Sequence, residues 1–547
     1  MNTQSLRRLT HSLFCASAAT LRRLEAALER PWLLDGVMML GLFAAIAFAF
    51  REVLPTNVFF LAPDAPLTPL SFREAWAQLA SPAPAVLNLF RLFPIGIGYE
   101  LSFWADMVLC ALAAVFLLRG YALPRGAAWV GGYAAAFMGY FSTLFCAGHR
   151  GVVDAIAVTC WAFGLLHRAL QHGQKRWFIA LGLTLPLGLA AQADIWFLLM
   201  LGVIAYGLTR FIGRCRAEGL PATLRALWPG LLCTLLCLAL TGIPALRHTF
   251  GAAQATRTAQ FQSATAETTS PAAERAARWR FITDWSLPPE DCLEFLKPDA
   301  NGYTSYRFDP QPYTGRMGSA RQVLRQHSIH IGVIALLLAL LACTPLAMDS
   351  TRKIRWFWAG LALISLLLAF GKYTPLYRLI WELPGIHQIR APVKWLHLTG
   401  FSIAVLAGCG VAVLVKRRSS CALLLCLAIA LQGCSVIPHY LFPLRFPTEA
   451  DYQQLPPGAR LLAPVTCHDL LRARGFVPVT DPRTADAALL MRPCVRGFID
   501  KILHHNSLIF VNSEHSIQTI CTILQSRHIA YELLTKVRMR ESVRIEL

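Results

Sequence analysis

Asp64 is a first candidate for a residue that could do chemistry. It lies in the segment APDAPLT, which follows the apolar run 33–50. A carboxylate in such a place could take the proton of a hydroxyl group as a general base, or could hold a divalent metal ion. The structural alternative is an aspartate that stabilises a turn in a proline-rich loop. Asp64 is therefore a candidate catalytic residue, and the identity of any metal stays open.

A second candidate site is the short turn CAGHRG at 146–151, which contains His149 and Arg150. A histidine next to an arginine could bind a phosphate group, since the guanidinium offers a planar fork of donors. Asp154 follows Arg150 at the i, i+4 spacing of a helical ion pair. The alternative is a hydrated turn with a structural ion pair.

Asp194 lies in the segment AAQADIW, between two very apolar stretches. A carboxylate near membrane depth is costly, so Asp194 is expected to face the protein interior or water. The neighbouring Gln192 could bind sugar hydroxyl groups or could cap the turn.

The segment 280–308 mixes carboxylates with aromatic side chains. Its carboxylates could serve in acid–base or metal chemistry, and they are Asp284, Glu290 and Asp291. Its aromatic rings could stack on a sugar, and they are Trp285, Tyr303 and Tyr306. A well-packed loop is the alternative explanation.

Arg390 and Lys394 stand in HQIRAPVKW, directly before an apolar run. Cations at this depth suit a lipid phosphate or pyrophosphate. The alternative is interfacial snorkelling, in which the stems lie on apolar surface and the charged ends reach water.

The elements that must position these residues are membrane helices. The chain is 55% hydrophobic and 15% charged, whereas soluble domains carry about 25% charged residues. Its apolar runs approach the roughly 20 residues that cross a bilayer, and the sequence predicts about eleven transmembrane helices. The runs lie near 33–50, 99–119, 127–146, 151–167, 178–192, 195–211, 228–245, 328–347, 356–371, 396–415 and 420–438. The predicted fold is a mainly α, polytopic transmembrane bundle.

The positive charges of the short loops predict the orientation. With the N-terminus in the cytoplasm, the cytoplasmic segments hold Arg7, Arg8, Arg22, Arg23, Arg30, Arg119, Arg125, Arg168, Lys175, Arg176, Arg210, Arg214, Arg216, Arg225, Arg352, Lys353, Arg355, Lys416, Arg417 and Arg418. The net charge of +20 is explained by this topology, so nucleic-acid binding is not predicted. The expected location is a bacterial cytoplasmic (inner) membrane.

Three segments follow from this topology. Residues 1–32 are predicted to be a cytoplasmic amphipathic segment, in which residues 5–30 form a helix on the cytoplasmic leaflet. Residues 33–438 form the transmembrane domain, and residues 439–547 a small extracytoplasmic α/β domain. The transmembrane domain carries extracytoplasmic loops at 51–98, 246–327 and 371–395. The first half of the loop 246–327 is expected to be mobile, and its second half ordered.

Familiar catalytic and metal motifs are missing from the sequence. It contains no Walker loop, haem motif, HExxH or Ser/His/Asp pattern. The sixteen cysteines show no CxxC spacing, and those in apolar runs are expected to be small core residues. A disulfide could form among Cys467, Cys494 and Cys521 in the predicted exported tail.

The order of several motifs resembles the YfhO-like bacterial membrane proteins, which are grouped with GT-C-type glycosyltransferases. The resembling stretches are CAGHRGVVDAIAVTCWAFGLLHRAL, RWFIALGLTLPLGLAAQADIWFLLMLG, DWSLPPEDCLEFLKPDANGY with PYTGRMG, and GKYTPLYRLIWELPGIHQIRAPVKWLHLTGFSIAVLAGCG. This resemblance implies an exported active site and a polyprenyl-phosphate-linked sugar as donor. The sequence departs from many GT-C enzymes because only Asp64, and no DxD or Glu-Asp pair, follows the first helix.

The leading hypothesis is a GT-C-like glycosyltransferase that transfers the sugar to a glycan or polymer acceptor of the cell envelope. Asp64 would be the general base, and Arg150, Arg390 or Lys394 would hold the carrier phosphate. No cofactor is assigned, although a divalent metal could take part. The alternative is a non-catalytic membrane protein, either a lipid-carrier transporter or an envelope assembly partner.

Overall fold

The computed structural model of the chain is predominantly helical. It describes residues 30–51, 58–60, 95–147, 149–265, 270–298, 300–301, 329–346, 351–383, 386, 389–415, 419–440, 443–445, 460–462, 477–479, 487–489, 492–493 and 508–509. Its α-helices are α1 Pro31–Ala49, α2 Ile95–Gly120, α3 Arg125–Ala136, α4 Tyr140–Ala147, α5 Arg150–His172, α6 Lys175–Ala191, α7 Ala193–Glu218, α8 Leu220–Thr265, α9 Pro271–Thr283, α10 Val333–Ala342, α11 Arg352–Ala369, α12 Pro375–Trp381, α13 Leu396–Val415 and α14 Ser419–Tyr440. Three 3₁₀ turns cover Pro289–Phe295, Gly371–Tyr373 and Pro392–Trp395.

Seven helices in the described residues are long and apolar enough to cross a membrane. The spans are Pro31–Ala49, Glu100–Gly120, Arg150–His172, Ala193–Glu218, Leu220–Ile243, Pro392–Ala412 and Ser420–Ile437. The protein is therefore a multi-pass membrane protein, and the mainly α, polytopic class is confirmed. Three further predicted runs form the 17-residue α6, the 10-residue α10 and the 18-residue α11.

The prediction of one continuous helix over 127–146 is wrong. The chain forms α3 and α4 instead, with a break between Ala136 and Tyr140. Inside the break, the amide of Gly139 donates a hydrogen bond to the carbonyl oxygen of His330 at 2.7 Å. This bond to a distant segment replaces one that a continuous helix would make.

The first part of the loop 246–327, which the sequence predicts to be mobile, is helical over residues 246–265. There α8 continues without interruption to Thr265, well beyond the predicted apolar run. The segment is rich in alanine and glutamine, which favour helix formation. The break predicted between the runs 178–192 and 195–211 is present, since Gln192 adopts an extended conformation with φ −157° and ψ 94°.

Helix α13 forms the centre of the bundle. Residues 395–412 are all buried, which agrees with their apolar character on every face. A Cβ atom added at Gly410 would lie 1.9 Å from the Leu338 carbonyl oxygen of α10, and one at Gly408 would lie 3.1 Å from the Ala127 carbonyl oxygen of α3. Glycine thus allows the close backbone approach that is common between membrane helices.

One end of the bundle collects the basic residues of the short loops. There Arg125 pairs with Asp35 at the start of α1, and Arg214 donates to the Leu170 carbonyl oxygen at 2.7 Å. A buried network at the same end joins three helices to the turn after α2, through the side chains of Tyr121, His167, Tyr206 and Trp358. This is the end that the sequence predicts to be cytoplasmic.

The opposite end carries short strands. Strand β1 (Val58–Phe60) pairs antiparallel with β2 (Pro443–Arg445), which pairs with β6 (Arg492–Pro493). The segments that follow α1 and α14 therefore lie on the same side of the bundle, as the predicted topology requires.

A second sheet belongs to the tail. Its strands, in spatial order, are β4 (Val477–Val479), β3 (Arg460–Leu462), β5 (Ala487–Leu489) and β7 (Leu508–Ile509). β3 is parallel to both of its neighbours, and β7 is antiparallel to β5. β3 lies in the segment ARLLAPV and β7 in SLIFVN, two segments whose sequences predict strands. The predicted tail helices and almost all of the predicted helix over 5–30 lie outside the described residues. The independent tail domain stays a prediction.

Candidate functional site

The start of α5 positions the first group of candidate residues. His149 occupies the N-cap position and Arg150 begins the helix, and both are half-buried. The Nε atom of Arg150 lies 3.6 Å from Oδ2 of Asp154, whose side chain is 5% exposed. The ion pair suggested by the i, i+4 spacing is therefore present, and it lies at the end of the bundle opposite to the basic loops.

A second buried carboxyl group joins this pair from α2. Asp106 is buried, and it lies close enough to Asp154 and Arg150 to interact with them electrostatically. Glu100, near the start of the same helix, is also buried. Neither residue is among the candidates predicted from the sequence. Two carboxylates inside the apolar run 99–119 were nevertheless a usable signal, because ionisable residues at membrane depth commonly mark functional positions.

The turn between α6 and α7 positions Asp194. The Lys394 Nζ atom donates to Asp194 Oδ2 at 2.7 Å, and the Gln192 amide nitrogen donates to Asp194 Oδ1 at 2.9 Å. The side chains of Lys394 and Asp194 are 18% and 8% exposed, respectively. Asp194 thus faces the protein interior, and two candidate residues that are 200 positions apart in the chain form one ion pair.

The Arg150 turn and the Asp194 turn are in direct contact. A Cβ atom added at Gly151 would lie 2.5 Å from the Ala191 carbonyl oxygen and 3.3 Å from the Gln192 side-chain oxygen. Only a glycine permits this approach without displacement. The two ion pairs are therefore neighbours, and together they form the candidate site.

Lys394 is positioned through the segment that precedes α13. The amides of Ala391 and Val393 donate to the carbonyl oxygens of Ile282 and Trp285 at 2.9 and 3.1 Å. Ala391 has φ 70°, a left-handed conformation that is uncommon for a residue with a side chain. The Trp285 ring is 6% exposed and packs in the hydrophobic core, so the well-packed-loop explanation accounts for it in this structure.

Arg390 directly precedes this segment, and its surroundings differ from those of Lys394. Its guanidinium stacks 4.4 Å from the centre of the Phe281 ring. Burial lowers the pKa of Arg390, and the nearby charge of Asp284 opposes the shift. An arginine pKa starts high enough that the group stays cationic at neutral pH. Arg390 is thus a half-buried cation at the same end of the bundle.

In the 3₁₀ turn Pro289–Phe295, the Asp291 carboxylate is bonded within the loop itself. Asp291 is fully buried and accepts a 2.7 Å bond from the Asn301 amide, which also donates to the Glu290 carbonyl oxygen at 3.3 Å. Burial, together with neighbouring carboxylates, raises the pKa of the Cys292 thiol to about 11. These contacts stabilise the turn.

Several candidates lie outside the described residues, namely Asp64, Tyr303 and Tyr306. Within the part of the chain that the structure describes, no group of three or more His, Cys, Asp or Glu side chains could hold a metal ion. A metal bound through Asp64 stays a prediction. The structure therefore brings Arg150, Asp194 and Lys394 together, and leaves the position of the proposed base open.

Comparison with known proteins adds little to this geometry. The chain matches no protein family model and no curated protein. It is similar to two cryo-EM structures of the arabinofuranosyltransferase AftD from Mycobacteria, the second of them a mutant, at 14% identity and TM-scores of 0.43 and 0.41. The matches cover 82% of this chain but only 32% and 34% of the AftD chains. Similarity of this size shows no shared activity, and the YfhO-like resemblance is not confirmed.

Proposed function

We propose that the protein is a membrane glycosyltransferase that moves a sugar from a polyprenyl-phosphate carrier to a cell-envelope acceptor on the extracytoplasmic side. One observation carries the proposal: the Arg150–Asp154 and Lys394–Asp194 ion pairs, from distant parts of the chain, belong to segments that touch each other at Gly151, at one end of a membrane bundle. The motif order described above supplies the reaction class.

The cations of the site would bind the carrier phosphate. Arginine offers a planar fork of donors, and lysine a compact charge with three N–H groups. Lys394 uses one donor for Asp194, which leaves capacity for a phosphate oxygen. Arg390, on the segment just before Lys394, would add a third positive charge.

The reaction breaks the bond between the sugar C1 atom and the carrier phosphate oxygen. Both electrons of that bond go to the oxygen, and polyprenyl phosphate leaves. The acceptor hydroxyl oxygen forms the new bond to C1, and its proton passes to the Asp64 carboxylate. Fixed cations next to the leaving oxygen stabilise charge that develops only in the transition state.

The membrane setting agrees with a lipid-linked donor. The candidate site lies at the end of the bundle away from the basic loops. The positive-inside rule places the basic loops in the cytoplasm and therefore assigns the site's end to the exterior. Several spans around it expose apolar side chains on their outer faces, as lipid contact requires. A carrier tail would remain in lipid while its phosphate reaches the site.

Mass spectrometry of envelope glycans tests this proposal. Cells without the protein should lack a sugar modification that the wild type restores and Asp64→Asn does not. An Asp64→Asn protein that is produced normally and restores the modification would favour the transporter or assembly-partner alternative, since neither role needs a general base.

A further inference from the structure

Each cation of the candidate site lies against a carboxylate. Lys394 is paired with Asp194 at 2.7 Å, and Arg150 lies 3.6 Å from Asp154. The first pair is the tighter one. Both oxygens of the Asp194 carboxylate accept a hydrogen bond, since Lys394 donates to Oδ2 and Gln192 donates to Oδ1 at 2.9 Å.

The Asp194–Lys394 pair is more accessible from the lysine side. Lys394 keeps 18% of its side-chain surface exposed and Asp194 only 8%. An anion that approaches would reach the ammonium group while the carboxylate stays enclosed behind it. The charge of Asp194 would then repel the bound anion, and the repulsion rises with the number of negative charges on that anion.

The charges of donor and product differ in the proposed reaction. A sugar-linked carrier is a phosphodiester with one negative charge. The released carrier is a phosphomonoester, which carries about −1.5 to −2 charges at pH 7. A neutralised lysine therefore discriminates between the two, whereas an uncompensated lysine would hold the product more tightly than the donor.

We propose, resting on the proposed function, that Asp194 is the resting counter-ion of Lys394 and that its charge selects the phosphodiester of the donor over the phosphomonoester of the product. Asp194 is then a positioning and specificity residue that contacts Lys394 and no reacting atom. Gln192 keeps the carboxylate oriented toward Lys394. The consequence is rapid release of the spent carrier.

Binding of two synthetic lipids to the purified full chain in nanodiscs tests the proposal. The probes are farnesyl phosphate, a monoester, and its methyl ester, a diester with the same tail, both at pH 8. The wild type should bind the diester more tightly. Asp194→Asn should tighten monoester binding about tenfold, which corresponds to about 1.4 kcal/mol, and should change diester binding clearly less.

Two matched variants control this experiment. Lys394→Met in the Asp194→Asn background should abolish the gain. Glu218→Gln changes the net charge equally, in an exposed ion pair with Arg214 (2.8 Å) at the other end of the bundle, and should leave both dissociation constants unchanged.

Several results would overturn the inference. They are an unchanged or weaker monoester affinity in Asp194→Asn, a gain that survives Lys394→Met, and an absence of binding in every variant. A wild type that prefers the monoester would also overturn it, and this measurement decides the question if Asp194→Asn does not fold. If the charge-dependent shift is found but no sugar transfer occurs, the proposed function fails and the counter-ion role stands.

Discussion

At the scale of single residues, the candidate site is built from charges that compensate one another. Arg150, Asp154 and Asp106 lie together although Asp106 belongs to a different helix. Burying an ion pair costs solvation, and removing one partner leaves the other charge insufficiently compensated in a poorly solvated place. The members of such a group should therefore depend on one another energetically.

A double-mutant cycle on Arg150 and Asp154 measures this dependence. Asp154→Leu alone should lower the free energy of unfolding by about 3 kcal/mol. Adding Arg150→Met should recover part of the loss, with an interaction energy of about 1–3 kcal/mol. Denaturation of the purified protein in detergent provides the measurement, and additive effects of the two substitutions would show that the pair is not coupled.

Cys292 offers a chemical test of the 3₁₀ turn Pro289–Phe295. Because burial and nearby carboxylates raise its pKa to about 11, the thiol should be mostly protonated at pH 8 and should react slowly with iodoacetamide. The thiolate is the reactive form, so the rate should keep rising as the pH approaches 11. Unfolding the protein should speed the reaction at pH 8. A fast reaction in the folded protein at pH 8 would contradict the described environment.

At the scale of elements, the site depends on turns that press against each other. The sequence located the turns themselves, since apolar runs and polar breaks are local signals. It gave no indication that Gly151 touches Gln192, nor that Asp106 reaches Asp154, because helix–helix contacts join positions whose spacing carries no pattern. The same reasoning explains the error over 127–146, where a bond from Gly139 to the distant His330 interrupts the helix.

A pair of glycine substitutions tests the contact between α5 and the α6–α7 turn. In Gly151→Ala, the new Cβ would lie 2.5 Å from the Ala191 carbonyl oxygen, so the turn must move, and stability should fall by about 1–3 kcal/mol. The matched control is Gly360→Ala on α11, where nothing lies within 4 Å of the new atom. The control should be as stable as the wild type or more stable by up to about 1 kcal/mol, because alanine favours a helix interior more than glycine does. Equal thermal stabilities of the two variants would contradict the close approach.

At the scale of the whole molecule, the chain is an apolar bundle with chemically different ends. Composition and apolar runs were enough to predict the membrane class, because burial in lipid requires long apolar helices. The number of spans was harder to predict, since α6 and α10 are shorter than a typical span and α11 begins with basic residues. The pairing of β1 with β2 agrees with an even number of crossings between the segments that follow α1 and α14.

The orientation of the bundle is tested with fused reporters. A reporter placed after Arg418 should behave as cytoplasmic, and one placed at the C-terminus as exported, because the short basic loops are retained inside. Expression level and membrane insertion of each fusion serve as controls. Finding both reporters on the same side would contradict the assignment.

The most direct test of the central claim is carrier release by the purified protein. The full chain is reconstituted in liposomes with polyprenyl-phosphate-linked sugars and envelope glycan acceptors, and mass spectrometry follows free polyprenyl phosphate together with the extended acceptor. The proposed function predicts equal amounts of both products with the wild type. It also predicts a loss of at least a hundredfold in Asp64→Asn, in line with removal of a general base, while Glu218→Gln retains activity. Product formation by Asp64→Asn at the wild-type rate, or no product from any donor with folded wild-type protein, would contradict the account.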